Sequence, residues 1–189
     1  MTQERNLLVA ARGQEKLMEW LNAMNIGDVE PVAGAAQARR KASGDSYSLA
    51  LINAPLLDES GLELAVDLAQ NTTAAVVLLV KTEMAAMIAD TAMSAGVLVV
   101  TKPVNQLLFE QTVKVRISCR NRLLIYKNQT ERLQTRYEEL KVIDRAKCLL
   151  IEHMRITEEE AHRVLEKEAM DSRMSRVRVA RKVLDRFEL

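Results

Sequence analysis

Basic residues near the end of the chain form the most distinctive chemical group in the sequence. Six basic and two acidic residues fall between Asp171 and Arg186. On a helix, Arg178, Arg181 and Lys182 share one face, because they lie three and four residues apart. Guanidinium groups suit phosphates, because their planar fork donates two hydrogen bonds at once. With one lysine of a preceding helix added, the candidate polyanion-binding residues are Lys147, Arg173, Arg176, Arg178, Arg181 and Lys182.

No other group has the residue types and spacing of a catalytic or metal site. His153 and His162 have no cysteine placed to complete a tetrahedral zinc site. Cys119 and Cys148 form no CxxC motif, and we expect both to be ordinary buried thiols. There is no GxGxxG motif, no P-loop and no paired nucleophile and base, so we predict neither an enzyme nor a metal or cofactor. We expect packing within a helix, rather than a binding groove, for Met84, Met87 and Met93.

Composition narrows the class of partner. Aromatic residues make up only 3% of the 189 residues, which argues against binding of single strands by stacking. Residues 1–104 carry 8 basic and 12 acidic side chains, whereas residues 105–189 carry 19 and 14, so the second half is the one suited to a polyanion. There is no signal-peptide pattern and no run of 18 apolar residues, so we expect a cytoplasmic protein without membrane contact.

The first half alternates between short apolar runs and amphipathic stretches. The runs predict five buried strands, at residues 6–10, 29–33, 48–53, 75–80 and 97–101. Helical patterns separate them, at residues 13–24, 34–43, 60–71 and 83–96. Strands that alternate with helices form a parallel sheet covered on both faces, and its functional edge lies at the carboxyl ends of the strands. Here those ends bring Ala10, Ala11, Asn53, Val80 and Lys102 together.

The second half is predicted to be almost entirely helical, because no proline or glycine follows Pro103. A long helix follows the last strand, and its apolar stripe is too narrow for the surface of a monomer. We expect the stripe to dimerise with a second copy, although it could instead pack on the C-terminal helices of its own chain. Its residues are Val113, Ile117, Leu124, Leu133, Tyr137 and Leu140.

From Leu140 onward the pattern changes to three short helices. Thr157, with Glu160 three residues later, forms the capping box of the second helix, and a break near Asp171 and Ser175 precedes the third. The expected core faces are Ile143, Ala146, Leu149 and Leu150, then Ala161, Val164, Leu165 and Ala169, then Val177, Ala180, Val183 and Leu184.

The first half resembles the receiver domain of two-component response regulators. The matching segments are YSLALINAPLLDESGLELA, VVLLVKTE and GVLVVTKPVN. Gly61 lies eight residues after Asn53, and Lys102 lies twenty-two residues after Val80. The resemblance covers about residues 5–120 and implies a flavodoxin-like sheet with a cis peptide between Lys102 and Pro103.

The receiver pattern is incomplete at its phosphorylation site. The resemblance implies an acidic pair after the first strand and a phosphoacceptor aspartate after the third, but this sequence has Ala10, Ala11 and Asn53 there. Val80 stands in place of a hydroxyl and Val99 in place of the switch aromatic, so only Lys102 remains. Methyl groups cannot bind Mg²⁺, and an amide is a poor nucleophile. We predict a pseudo-receiver, in which Lys102 either neutralises strand-end carbonyls or pairs with Asp58. We do not expect Asp58 to replace the phosphoacceptor, because there is no acidic pair to hold a cation.

The end of the chain resembles an ANTAR domain, the RNA-binding module of AmiR- and NasR-related antitermination regulators. The matching segment is VIDRAKCLLIEHMRITEEEAHRVLEKEAMDSRMSRVRVARKVL. The resemblance covers about residues 127–187 in one ungapped frame, and it implies RNA stem-loops in a leader transcript as the ligand. Cys148 and His162 depart from the pattern at positions that affect packing rather than chemistry.

The predicted architecture is α/β followed by all-α. A flavodoxin-like, five-stranded parallel pseudo-receiver at residues 1–120 precedes a coiled-coil helix at 105–140 and a three-helix ANTAR bundle at 127–189. We expect an RNA-binding antitermination regulator that acts as a homodimer and is controlled by a protein partner or another signal that is not phosphorylation. The alternatives are a DNA-binding response-regulator-like factor and a protein-interaction module without nucleic-acid binding.

Overall fold

The computed structural model describes residues 4–44 and 46–187, which fall into two compact units that divide between Ile125 and Tyr126. The expected domain limits at residues 1 and 189 lie outside the described part. The strands are β1 Arg5–Ala10, β2 Asp28–Val32, β3 Leu49–Asn53, β4 Ala75–Lys81 and β5 Leu98–Lys102. The helices are α1 Gln14–Ala23, α2 Ala35–Gly44, α3 Leu62–Asn71, α4 Thr82–Ser94, α5 Gln106–Met154, α6 Glu158–Ser172 and α7 Arg176–Phe187.

The first unit is the predicted flavodoxin-like fold. Its five strands are all parallel and lie in the order β2-β1-β3-β4-β5, so the direction in which successive strands are added across the sheet reverses between β1 and β3. Each predicted strand is present to within about two residues, because an apolar run of five or six residues bounded by polar sequence is a strong signal. The peptide between Lys102 and Pro103 is cis, as the receiver resemblance implies.

The central strands β1, β3 and β4 are buried on both faces, which explains why they are mainly apolar, whereas the edge strands β2 and β5 are only partly buried. In β4, Val76, Leu78 and Val80 belong to one core, and Ala75, Val77 and Leu79 belong to the other. The helices α2, α3 and α4 contribute to the first core, and α1 and α5 contribute to the second. The ring centroids of Trp20 and Phe109 lie 5.2 Å apart in the second core.

The long helix starts inside this unit, which corrects part of the predicted dimerisation stripe. Val113 is fully buried, and Ile117 packs against the same core. These two side chains cover the sheet of their own chain and are not available to a second copy. Leu124 is half-buried, whereas Leu133, Tyr137 and Leu140 are exposed.

The second unit has a small core of its own, built from the end of α5 with α6 and α7. The first of the three expected short helices is therefore not separate, because α5 runs without interruption to Met154. Thr157 and Glu160 form the predicted capping box on α6. In α7 the buried residues are Val179 and Ala180 rather than the expected Val177, and Val164 of α6 is exposed.

Several single residues also differ from expectation. Cys119 and Cys148 are both exposed rather than buried. Met87 and Met93 are more than 70% exposed, and Met84 is 40% exposed, so the methionines of α4 are not core residues. Within the described ranges, no helix combines the length and the apolar character needed to cross a membrane.

Candidate functional site

The sheet register brings the predicted strand-end residues to one edge. Ala10 pairs with Asn53 across β1 and β3, and Lys81 pairs with Lys102 across β4 and β5. Ala10 and Val80 are buried, whereas Ala11 and Asn53 are half-buried. The carboxyl ends of neighbouring parallel strands meet here, because every strand of the sheet runs in the same direction.

Lys102 is bound to oxygen atoms of the loop that follows β3. Its ammonium Nζ lies 3.0 Å from Asn53 Oδ1 and also donates to the carbonyl oxygen of Ala54. Asn53 in turn donates through Nδ2 to the carbonyl oxygen of Arg12, at 2.7 Å. Of the two interpretations of Lys102, the structure therefore has the one in which it neutralises a strand-end carbonyl.

Partial burial and the neighbouring charge of Lys81 lower the pKa of Lys102. Two ammonium groups therefore lie near each other at this edge. Mg²⁺ requires hard oxygen ligands, and this edge offers it the methyl groups of Ala10 and Ala11 and an amide oxygen that already accepts from an ammonium group. These residues do not fit a bound Mg²⁺.

Asp58 binds the N-terminus of helix α2 rather than Lys102. Its carboxylate accepts hydrogen bonds from the backbone N–H groups of Ala35 and Ala36, at 2.8 and 3.0 Å, at the start of α2. These two bonds lower the pKa of Asp58, as expected for a carboxylate at a helix N-terminus. The alternative pairing of Asp58 with Lys102 is not what the structure has.

The basic residues of the second unit fall into two groups. Arg178, Arg181 and Lys182, which we call the α7 basic face, are exposed and form no ion pair with any carboxylate in residues 4–44 and 46–187. Arg176 is different, because its Nη1 lies 3.2 Å from Glu166 Oε1. The face lies on α7 because Val179 and Ala180 turn the opposite side of the helix into the core.

Lys147 and Arg173 have structural roles of their own. The Nζ of Lys147 lies 2.9 Å from Asp144 and 3.0 Å from Glu158, its side chain is only 16% exposed, and these carboxylates raise its pKa. Arg173 ends α6 in a left-handed conformation, with φ of 53°, and is exposed. Lys147 is thus tied to two carboxylates, whereas the side chain of Arg173 has no ionic partner among the described residues.

The two histidines lie apart from any metal-like cluster. His153 stacks on Phe187 with ring centroids 4.6 Å apart, and His162 Nε2 lies 3.2 Å from Glu166. In the described part of the chain, no three His, Cys, Asp or Glu residues come together in a way that could hold a metal ion.

The exposed part of α5 carries apolar residues that the sequence analysis missed. Leu123 and Tyr126 are 62% and 51% exposed, and they precede Leu133, Tyr137 and Leu140 on the helix. With Thr130 included, the spacing alternates between three and four residues from Leu123 to Leu140, which is the spacing of a coiled-coil seam. Phasing the heptad from Tyr126 rather than from Val113 would have identified these positions.

Comparisons with known proteins agree with this division of the chain. The sequence model of the ANTAR domain matches residues 131–184. No curated protein matches the chain. The fold of the first unit is shared with a two-component response regulator from Clostridium difficile, at 20% identity and a TM-score of 0.52, with 61% of this chain and 97% of that one covered.

Two other solved structures show the same fold. A response regulator receiver domain protein from Clostridium thermocellum has 17% identity and a TM-score of 0.56, with 64% of this chain and 98% of that one covered. An adenylate cyclase from Rhodopirellula baltica has 13% identity and a TM-score of 0.61, with 68% and 98% covered. The chain therefore carries an ANTAR domain at residues 131–184, behind an N-terminal unit with the fold of response-regulator receiver domains.

Proposed function

We propose that this protein is an RNA-binding regulator that favours transcription antitermination by binding stem-loops in a leader transcript. ANTAR domains bind RNA, and the matched residues, 131–184, include the whole α7 basic face. The observation that carries the proposal is that Arg178, Arg181 and Lys182 are exposed on one helix face without a carboxylate partner in the described residues.

The chemistry of this face suits the RNA backbone. An exposed arginine without an internal partner keeps all its N–H donors for an external ligand, and phosphate oxygens accept two of them at once. In α7, Asp185 is the one acidic residue, although Arg181 also lines a pocket with Glu131, Glu138 and Glu139 of α5. Stem-loop RNA places phosphates of two strands close together, which matches cations spaced along one helical turn.

Dimerisation through α5 would strengthen this binding. Leu123, Tyr126, Leu133, Tyr137 and Leu140 form an exposed apolar seam, and a second copy is the simplest partner that covers it. A dimer presents two basic faces, and the second contact gains from effective concentration when the RNA carries two stem-loops.

The receiver-like unit would then act without phosphorylation. Asn53 stands where the receiver pattern has its phosphoacceptor, and Ala10 and Ala11 stand where it has its metal-binding acids. A protein partner is a candidate signal, and the exposed Met87 and Met93 of α4 give the unit an adaptable apolar surface for one.

Fluorescence anisotropy tests the RNA proposal at one physiological salt concentration, with a tandem stem-loop RNA and a duplex DNA of equal charge. The double variant Arg178→Ala/Arg181→Ala should bind the RNA at least about 30-fold more weakly, because two charge-assisted contacts are lost. The matched control, Arg163→Ala/Lys167→Ala, removes two exposed charges from α6 and should stay within about threefold of the wild type.

A second pair of residues separates direct contact from packing. Arg173→Ala/Lys147→Ala should also abolish binding while circular dichroism shows unchanged helical content. Because Lys147 is paired with Asp144 and Glu158, the single variants will show which of the two residues contacts RNA. Equal binding of RNA and duplex DNA, or equal losses in the α7 and α6 double variants, would contradict the proposal.

A further inference from the structure

The receiver-like unit contains an apolar cavity beside the strand ends. It has a volume of about 270 Å³, close to the lower end of the range for small-molecule sites. It lies between the loop after β3, the end of β4 and the first turns of α4. Most of its wall is formed by Ala54, Leu62, Leu78, Val80, Met84 and Ile88.

The inner wall of the cavity is rigid and apolar. Leu78, Val80 and Ile88 are each less than 10% exposed and belong to the same packed core. The outer wall includes Met84, which is 40% exposed and has a flexible side chain. Water in such a cavity finds few hydrogen-bond partners, so an apolar group of suitable size displaces it favourably.

Positive charge lies at the rim of this cavity. Lys81 is a lining residue, is exposed, and forms no ion pair with any acidic residue that the structure describes. Its neighbour in the sheet register is Lys102, whose ammonium binds Asn53 and Ala54. Burial and the charge of Lys81 both lower the pKa of Lys102, so the two ammonium groups repel each other.

The nearby acidic residues are engaged elsewhere. Asp58 binds the N-terminus of α2, and Glu59 lies 2.8 Å from Arg39 and accepts a hydrogen bond from the backbone of Leu64. Glu83, in the first turn of α4, is exposed and does not line the cavity. An anion placed between Lys81 and Lys102 would therefore relieve a repulsion that no described carboxylate of the chain relieves.

We propose that this cavity binds a small amphipathic carboxylate, whose apolar body fills the cavity and whose carboxylate pairs with Lys81 at the rim, where the charge of Lys102 adds to the positive potential. A short fatty acid or a single-ring aryl-alkyl acid has the required size and charge. The cavity lies next to the degenerate phosphorylation site and shares Val80 with it, but its charge preference is opposite to that of a Mg²⁺ site. This inference concerns the first unit alone and does not depend on RNA binding by the second.

Octanoate is a suitable probe, with octylammonium as a ligand of equal tail and opposite charge and acetate as a ligand without the tail. The full-length protein is labelled at methionine and isoleucine methyl groups, and NMR shifts of Met84 and Ile88 are followed during each titration. Octanoate should give saturable shifts at these methyl groups and bind at least about tenfold more tightly than octylammonium, because the rim is positive.

Variants at the rim and the wall separate a built site from unspecific contact. Met84→Trp fills the cavity and should abolish the shift of Ile88, whereas Met87→Trp, one turn along at a 78% exposed position, should not. Lys81→Gln should weaken octanoate binding about fivefold, and Lys114→Gln, at an exposed position of α5, should leave it unchanged.

Three results would overturn the proposal. One is the absence of a saturable shift below the micelle concentration of octanoate. Another is equal binding of octanoate and octylammonium, which would mean that the lysines play no part. The third is an equal effect of Met84→Trp and Met87→Trp, which would place the ligand outside the cavity.

Discussion

The strand-end edge of the first unit and the α7 basic face of the second both carry positive charge, but they use it differently. Lys102 is bound to Asn53 and to the carbonyl of Ala54, within its own chain. Arg178 and Arg181 make no ion pair with the described part of the chain. A charge with internal partners contributes to the fold, whereas an exposed charge without them costs the fold little and remains available to an external ligand.

The same criterion applies inside the second unit. Lys147 lies on the ANTAR match, as the α7 basic face does, yet two carboxylates hold its ammonium and its side chain is mostly buried. Its position in the sequence therefore suggests a ligand contact, while its environment resembles that of a structural ion pair. Internal partners, rather than residue type, distinguish the two roles.

The largest expected effect tests whether each unit is stabilised by its own hydrophobic core, independently of the other. Leu165 is fully buried among α5, α6 and α7, and Leu165→Ala should destabilise the second unit by about 3 kcal/mol. Trp20 is the one tryptophan of the chain and belongs to a core of the first unit. Urea unfolding followed by Trp20 fluorescence should be unchanged, while loss of helical circular dichroism begins at lower urea.

The exposed neighbour provides the control for this prediction. Val164→Ala, at a position that is 38% exposed, should cost less than about 1 kcal/mol. If the Trp20 fluorescence transition shifts together with the circular-dichroism transition, the two units unfold as one, and their cores are not independent.

A smaller effect is expected where an internal charge holds the first unit together. Glu30 of β2 accepts from Tyr47 at 2.7 Å and from Arg5 at 2.9 Å, and it also binds Lys41. The bonds from Lys41 and Tyr47 contribute most to lowering the pKa of Glu30 from 4.5 to about 2. Glu30→Gln should therefore destabilise the unit by about 1 to 2 kcal/mol at pH 7.

The pH dependence of this effect has a defined sign. Because the folded state lowers the pKa of Glu30, its ionisation stabilises the fold above pH 4.5, and this stabilisation is lost as the pH falls towards 2. Urea unfolding of wild type and variant should converge over that interval. Arg178→Ala, which removes an unpaired charge, should change the free energy of unfolding by less than about 0.5 kcal/mol at any pH. A loss as large as that of Glu30→Gln would show that an exposed, unpaired charge contributes to the fold as much as an internally paired one.

Periodicity made most of the fold predictable from the sequence. Five apolar runs and the helices between them sufficed for the parallel sheet, because the central strands are buried on both faces and carry no competing pattern. The capping box at Thr157 was equally clear, because it needs only two residues at a fixed spacing.

The burial of individual helix residues could not be predicted, because it depends on which elements pack against each face of the helix. Val113 and Leu133 look alike in the sequence, yet the sheet of the same chain covers one and nothing described covers the other. Similarly, Val177 and Val179 both fit a helical stripe, and only the crossing of α7 over α6 decides which is buried. The ion pair of Lys147 with Glu158 could not be predicted because Glu158 lies on a different helix, whereas Asp144 lies three residues away on the same one.

The smallest expected effect concerns Lys102 at the strand-end edge. It tests whether a lysine with internal partners contributes to the stability of the fold. A lowered pKa means that the folded state disfavours the ammonium form, so its charge costs stability at neutral pH, and the cost disappears as the pH rises through that lowered pKa. Lys102→Met removes this cost but leaves Asn53 Oδ1 and the carbonyl of Ala54 without their donor. The two changes oppose each other, and we expect a net change within about 0.5 kcal/mol in urea unfolding followed by Trp20. A loss above about 2 kcal/mol would instead make Lys102 a structural lysine, comparable to Lys41 beside Glu30. If stability is unchanged, the two contributions cancel, and internal partners alone do not make the charge of Lys102 a net contributor to the fold.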